Sequence, residues 1–350
     1  MEGEPTELTR REHIRYLKQF LKLLPDTLSS YDSTRLTIAF FSISGLDVLD
    51  ALDEIKDSKE NICNWIYSLQ ILPDADGNMD RCGFQGSDTF TIRVDDSVQS
   101  CNKQFTSGHL AMTYTGLASL LILGDDLSRV NRKAIIKGVR SLQQDDGSFC
   151  ATQMGSENDM RFVYCAAVIC YILQDWSGMD TEKTIEYIMR SMSYDYGFGQ
   201  GPELESHGGV TYCAVAVLSL MGKLHSVLNV KQLEGLKRWV LMRQVTGFQG
   251  RANKQEDTCY SFWVGATIQM LEIFDMIDFA ENRAYIMTTQ DSLTGGFAKW
   301  EDYIPDPLHT YLGLSGLSLM KEKGLLEIDP ALNITQRAAR YLKKIQGTWE

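Results

Sequence analysis

Residues 255–266 read QEDTCYSFWVGA and set a carboxylate, Asp257, two positions before a thiol, Cys259, with Tyr260 and Trp263 close behind. A carboxylate and a thiolate together cancel the charge of a divalent ion such as zinc. Zinc accepts both donor types, and in catalytic sites it keeps one position open beside three protein ligands. The same residues also suit the start of a buried helix, with Cys259 as a small apolar filler and Asp257 as its N-cap. Spacing alone leaves both readings open. Just upstream, GRANKQED supplies Arg251 and Lys254, and the earlier segment ESHGGVTYC supplies His207. Two cations, an imidazole and the Tyr260 phenol at helix starts suit a diphosphate, because helix N-termini and guanidinium groups both favour phosphate oxygens. Taken singly, Arg251 or Lys254 reads more readily as a solvated loop charge.

These residues need elements to bring them together, and the chain repeats itself. Five glycine-phenylalanine turns recur: RCGFQG, DDGSFC, DYGFGQG, VTGFQGR and TGGFAKW. Phe149, Phe198, Phe248 and Phe297 follow one another at 49, 50 and 49 residues. A helix ending in glutamine precedes several turns (VRSLQQ, WVLMRQ, YIMTTQ). An apolar helix rich in small residues follows (RFVYCAAVICYIL, GVTYCAVAVLSLM, CYSFWVGATIQML, HTYLGLSGLSLM), with HLAMTYTGLASLLIL as an earlier copy. The first helix is amphipathic and the second apolar nearly all round, the pattern of an outer and an inner layer. Hairpins of about 50 residues bury their faces by stacking, and closing five or six into a ring hides both ends. The sequence predicts an all-α fold, one α-α toroid over residues 1–350: a closed barrel of about six helical hairpins around a central cavity, with residues 1–12 flexible. An open solenoid is the alternative on periodicity alone. Residues 73–108 lack helix signals and read as an elaborated loop in the first full repeat.

The totals narrow the classes. The chain has 350 residues, 44% hydrophobic and 23% charged, ordinary values for a soluble globular protein. A net charge of −12 argues against a general nucleic-acid or anionic-membrane partner. No apolar run reaches about 18 residues, so no membrane span is expected. The eight cysteines form no CxxC pair, and the N-terminal MEGEPTELTRREH lacks the apolar core of a secretory signal. Reduced thiols and a cytoplasmic location are the expectation.

Aligning the inner helices on Tyr164-Cys165, Tyr212-Cys213, Phe262-Trp263 and Leu312-Gly313 puts Arg161, Gly209, Cys259 and His309 at one equivalent position. Cys259 and His309 then fall at matching helix starts of neighbouring repeats, and His309 becomes a third donor. Through ESHGG, GRANK, EDTCYSFW and PDPLHTYLGLSGLS the chain resembles the β subunits of protein prenyltransferases over nearly its whole length. The resemblance implies one zinc ion per β subunit, held by Asp257, Cys259 and His309. It implies that His207, Arg251, Lys254 and Tyr260 hold an isoprenoid diphosphate. Trp263 would cradle the isoprenoid chain, with plain core packing as its alternative. Arg161 matches an arginine near the C-terminus of the peptide substrate, and His109, Ala111, Phe162 and Leu308 match residues around that peptide's end. Phe41 would border peptide and lipid tail.

Two positions resemble one branch of that family. In DSTRLTIAFF, Thr37 stands where farnesyl-transferring members carry a tryptophan, so a fourth isoprene unit has room. Lys299 stands ten residues before His309, where those members carry an aspartate associated with magnesium. Lys299 would serve catalysis by neutralising the departing diphosphate, so that magnesium is not required. This pattern resembles the type I geranylgeranyltransferases. It implies transfer from geranylgeranyl diphosphate to the cysteine of C-terminal CaaX motifs, X mostly leucine, on clients such as Rho/Rac-type small GTPases. It also implies an obligate heterodimer with a prenyltransferase α subunit. Farnesyltransferase or Rab geranylgeranyltransferase β subunits, and a non-enzymatic toroidal scaffold, are the alternatives.

Overall fold

The apolar helices predicted as an inner layer are buried on every side: in Leu110–Ile122, every residue but Ala111 is buried. The computed structural model describes residues 7–349 except 23, 25, 90, 95–96, 101–105 and 154. In chain order its helices are α1 (Arg10–Gln19), α2 (Arg35–Val48), α3 (Lys59–Ser68), α4 (Leu110–Ile122), α5 (Arg132–Ser141), α6 (Met160–Leu173) and α7 (Thr181–Arg190). There follow α8 (Gly208–Leu220), α9 (Leu224–Val227), α10 (Val230–Leu241), α11 (Tyr260–Met270), α12 (Phe279–Thr288), α13 (Pro307–Leu319) and α14 (Gln336–Gln346). Helices α2, α4, α6, α8, α11 and α13 pack side by side in that order, and α13 packs against α2. The row therefore closes into an α-α toroid, and the open solenoid is excluded. No helix among the described residues is long and apolar enough to cross a membrane.

An aromatic belt lines the inside of the ring, with one ring from each inner helix. Tyr311, Phe40, Tyr114, Tyr164, Tyr212 and Phe262 contact one another in succession, with centroids 5.3–5.7 Å apart in tilted or edge-on geometry. Such pairs add to the burial of the rings themselves. Four of these phenols then tie down a segment outside the repeats. Tyr164 and Tyr212 donate to the Ala331 carbonyl at 3.1 and 3.4 Å, Tyr114 to that of Leu332 at 3.4 Å, and Tyr311 to that of Asn333 at 2.7 Å. The segment lies in a small hairpin of β5 (Ile328–Asp329) and β6 (Ile334–Thr335), one of three two-stranded pieces. The others pair β1 (Gln70–Ile71) with β2 (Gly83–Phe84), and β3 (Thr91–Val94) with β4 (Ser97–Ser100). The last pair gives part of the expected loop at 73–108 an antiparallel strand pair; residues 90, 95–96 and 101–105 of that loop lie outside the described ones.

The repeated glutamine and phenylalanine are explained by the joints between hairpins. Each phenylalanine at the turns, Phe84, Phe149, Phe198, Phe248 and Phe297, is fully buried. Its backbone bridges to the end of the preceding outer helix, at Gln70, Gln143, Met192, Gln244 and Gln290 respectively. The glutamine side chain then reaches the N-cap of the next outer helix. The Asn131, Asp180 and Asp278 amides donate to the Oε1 atoms of Gln70, Gln143 and Gln244 at 2.7–2.9 Å. Where Met192 breaks the series, Asn229 caps α10 with a capping box of its own, closed by Gln232.

Gln290 applies the same device to the ring seam, and it ties down residues 7–9, inside the segment expected to be flexible. Its Oε1 accepts from the Thr9 amide at 2.9 Å and from Nε2 of His13 at 2.9 Å, and its Nε2 donates to the Glu7 carbonyl at 3.0 Å. His13 completes the seam by accepting from the Gly296 amide through Nδ1 at 2.8 Å and stacking on Phe297 at 4.6 Å. Gly295 lies with φ +82°, and a Cβ there would meet the Glu12 carbonyl oxygen at 2.2 Å. Residues 10–12 thus start α1, and 7–9 are pinned; residues 1–6 lie outside the described ones. The charged RREH run looks frayed in sequence because its anchors lie almost 300 residues away.

Gln290→Ala should cost about 1–3 kcal/mol, the scale of a few lost part-buried hydrogen bonds, with α1 amides exchanging first. Burial holds the His13 pKa below its ordinary 6.5, although the Gln290 hydrogen bond opposes this. The unfolded chain therefore takes up the proton first, and the seam is at full strength above about pH 6.5 and weakens below it. Amide exchange of α1, corrected for intrinsic rates, should rise between about pH 7.5 and about pH 5.5; unchanged protection would contradict this.

Candidate functional site

Many of the expected site side chains gather at one place in the repeat, the N-terminus of the inner helix. An N-terminal turn exposes unpaired amides, and a side chain just before it caps them. His109 accepts from the Ala111 amide, Asp159 from Arg161, His207 from Gly209, Asp257 from Cys259 and Asp306 from His309, all at 2.8–3.1 Å. Because the inner helices form a ring, these caps line one rim of the cavity.

Asp257, Cys259 and His309 converge there, each offering a ligand atom within 4.8 Å of the others. Asp257 and Cys259 are buried, and the Asp257 carboxylate lies 3.2 Å from Nε2 of His309. Asp306 fixes that imidazole from behind: its Oδ2 is 2.5 Å from Nδ1. A carboxylate behind a histidine is the usual outer partner of a metal ligand, because it sets the ring's orientation and leaves the far nitrogen for the ion. Burial pulls the His309 pKa down, but hydrogen bonds to Asp257 and Asp306 and their charges outweigh it and raise it to about 9. Burial and then the Asp257 charge push the Cys259 thiol well up. Burial likewise opposes ionisation of Asp257, yet the His309 and Cys259 hydrogen bonds hold its carboxyl below the usual range. A buried carboxylate and sulfur at the start of α11 and a partly buried imidazole nitrogen at the start of α13 form a donor set suited to a metal ion. Lys299 stands beside them, its Nζ 3.8 Å from Asp257 and 4.3 Å over the Trp300 ring. The Lys299 carbonyl accepts from the Thr258 amide at 3.2 Å, which straps this loop to the start of α11.

The polar cluster expected to bind an anion forms next to this set. With Nδ1 of His207 taken by the Gly209 amide, Nε2 carries the hydrogen and meets the Tyr260 oxygen at 3.0 Å. Burial, and then the Arg251 charge, keep His207 below its ordinary pKa, so it acts as a neutral donor. Gly250 makes room for the phenol: a Cβ there would lie 2.1 Å from the Tyr260 ring. Arg251 pairs with Glu205 at 3.0 Å, and Lys254 is exposed on the same loop.

Below the rim opens a largely apolar cavity of about 470 Å³. Thr37, Phe41, Ala111, Arg161, His207, Cys259, Tyr260 and Trp263 all line it, so eight expected site residues share one space. Trp263 packs against Tyr212 with centroids 4.9 Å apart, so it is wall and core at once. Thr37 donates to Sδ of Met112 at 3.2 Å. His109 and Phe162 sit edge to face at 5.9 Å beside Arg161, which Asp159 and Glu157 hold through hydrogen bonds of 2.6–3.1 Å. Phe162 is buried and, like Leu308, is absent from the cavity wall.

Sequence reasoning missed Asp306 and Asn333. Asp306 was legible only as a cap, from Asp-Pro at a helix start; its second oxygen's reach to the histidine three residues on was not. Asn333 reaches the cavity from the segment beyond the repeats, and no periodicity points to it.

Comparison with known proteins fits this geometry. Residues 8–334 match the family model of the prenyltransferase alpha-alpha toroid domain. A geranylgeranyl transferase type-1 subunit beta from Dictyostelium discoideum is 40% identical over 334 residues, 93% of this chain and 94% of its own length. Its Arabidopsis thaliana counterpart is 41% identical over 341 residues, 93% of this chain and 89% of its own. The solved Candida albicans protein geranylgeranyltransferase-I, complexed with GGPP, superposes with a TM-score of 0.87 at 26% identity, covering 97% of this chain and 99% of that one. The chain belongs to the prenyltransferase toroid family, among the β subunits of the type-1 geranylgeranyl transferases, and is a protein prenyltransferase subunit.

Asp306→Asn keeps a good N-cap and removes the charge behind His309. Metal affinity should fall about 10- to 100-fold with the melting temperature nearly unchanged. Undiminished affinity in equilibrium dialysis would show that Asp306 does not act on the metal site.

Proposed function

We propose that this chain is the catalytic β subunit of a zinc-dependent protein geranylgeranyltransferase type I. It transfers a geranylgeranyl group from geranylgeranyl diphosphate to the cysteine of C-terminal CaaX motifs, X mostly leucine. One observation carries the reading. A carboxylate, sulfur and imidazole triad stands beside a histidine, tyrosine and arginine cluster, at the mouth of an aromatic-lined cavity in whose wall position 37 is a small threonine.

Asp257, Cys259 and His309 would hold the zinc ion. Bound there, it supplies the Lewis acidity that lets an incoming thiol ionise near neutral pH. The lipid chain lies in the aromatic cavity, which excludes water and fixes its direction. That placement leaves the diphosphate at the rim, facing Arg251, Lys254, His207 and Tyr260. A sulfur–carbon bond forms at C1 of the lipid as the bond from C1 to the diphosphate oxygen breaks, and the thiol proton goes to solvent. Negative charge builds on the departing oxygens, where fixed donors help most. Lys299, beside Asp257, adds an ammonium on that side, so magnesium is not required. Arg161, His109, Ala111, Phe162, Phe41 and Leu308 receive the peptide's last residues. A prenyltransferase α subunit completes the enzyme as an obligate partner and contributes a lysine to the diphosphate site. The setting is cytoplasmic, with small GTPases of the Rho/Rac type among the clients.

Two variants of the α/β heterodimer test this. Cys259→Ala should lose bound zinc and protein prenylation together, while the fold persists; normal transfer by a zinc-free variant would refute the assignment. Thr37→Trp should turn preference from the twenty-carbon toward the fifteen-carbon diphosphate by roughly 10- to 100-fold, the scale of shape discrimination in an apolar pocket. A competition assay without added magnesium reads both preference and metal need, and an unchanged preference would remove Thr37 from the account.

A further inference from the structure

Arg251 is already engaged. Its Nη1 lies 3.0 Å from Oε2 of Glu205, with the two side chains 42% and 62% exposed. Glu205 stands two residues before His207, whose pKa burial lowers first, Arg251 lowers further and Glu205 pushes back up. One carboxylate, one guanidinium and one imidazole therefore share a corner of the rim. A carboxylate and a phosphate compete for the same guanidinium hydrogens. A diphosphate held by Arg251 and His207 would also sit beside the Glu205 charge, and like charges at contact distance repel even in water. Glu205 is exposed among the described residues of this chain, and half-exposed ion pairs are weak, so the pair opens readily.

We propose that Glu205 is a displaceable internal counter-ion of Arg251. It keeps the guanidinium aimed at the rim until an anion arrives, swings aside when the lipid diphosphate binds, and pairs with Arg251 again as the diphosphate product leaves. Glu205 is thus a positioning residue that limits how tightly the rim holds its anion. This rests on the proposed function and adds a residue that works against ligand affinity.

The test uses the α/β heterodimer, with inorganic diphosphate displacing a fluorescent twenty-carbon lipid diphosphate. Glu205→Gln keeps the shape and an acceptor but loses the charge. Both anions should bind it roughly 2- to 5-fold more tightly, the range of an exposed charge pair, and the gain should shrink at high salt. Glu205→Asp, which keeps the charge, should stay near the parent. Unchanged or weaker binding by Glu205→Gln, with zinc content and melting temperature preserved, overturns the proposal; weaker binding would show that Glu205 only positions Arg251. If the parent enzyme fails to bind the lipid diphosphate, the proposed function itself falls, and this inference with it.

Discussion

Everything in this molecule depends on α13 packing against α2. Six hairpins in an open row would leave two inner helices with an apolar face in water, and the first and last would lie far apart. Closing the row buries both faces and creates an interior. The seam is held by parts from both ends of the chain: Gln290 takes the N-terminus of α1, and His13 takes the Gly296 turn. The C-terminal segment adds a second lock. Asp47, buried in α2, accepts from Thr335 at 2.6 Å and from Arg337 at 2.7 and 2.9 Å, so the tail holds the first inner helix in register.

Closure also decides where chemistry is possible. Every inner helix starts at the same rim, and every helix start needs a cap. At all of them but α2 a side chain accepts from a backbone amide, and several of these side chains do more than that. His207 gives one nitrogen to a backbone amide and the other to Tyr260. Asp306 gives one oxygen to the His309 amide and the other to its ring. Asp257 caps α11 with the oxygen that faces His309. These side chains are fixed by the fold before any ligand arrives, which is what a site that stabilises developing charge requires. Part of the cavity wall, Phe40, Tyr114 and Tyr164, belongs to the aromatic belt that packs the ring, so these residues serve the fold and the cavity at once.

Much of this was legible from spacing. The turns at 49 and 50 residues gave the hairpins, and alignment of the inner helices placed Cys259 and His309 in neighbouring positions that the structure brings together. The family resemblance, rather than the spacing, singled out Thr37 and Lys299. What escaped has a common cause. The anchoring of α1, the tyrosine-bound segment at 331–333 and the ion pair of Glu205 with Arg251 each join residues that follow no repeat. A periodic reading finds what recurs and misses the parts that end the recurrence.

The central claim is that this rim brings metal, diphosphate and thiol together. Anomalous diffraction at the zinc edge, on the α/β heterodimer with a non-reactive lipid diphosphate and a CaaX peptide, tests it most directly. One peak should lie within bonding distance of the Asp257 carboxylate, the Cys259 sulfur and Nε2 of His309, with the peptide sulfur as its fourth neighbour and the diphosphate against Arg251 and Tyr260. An active enzyme with no zinc peak there, or with the diphosphate bound elsewhere, would contradict it.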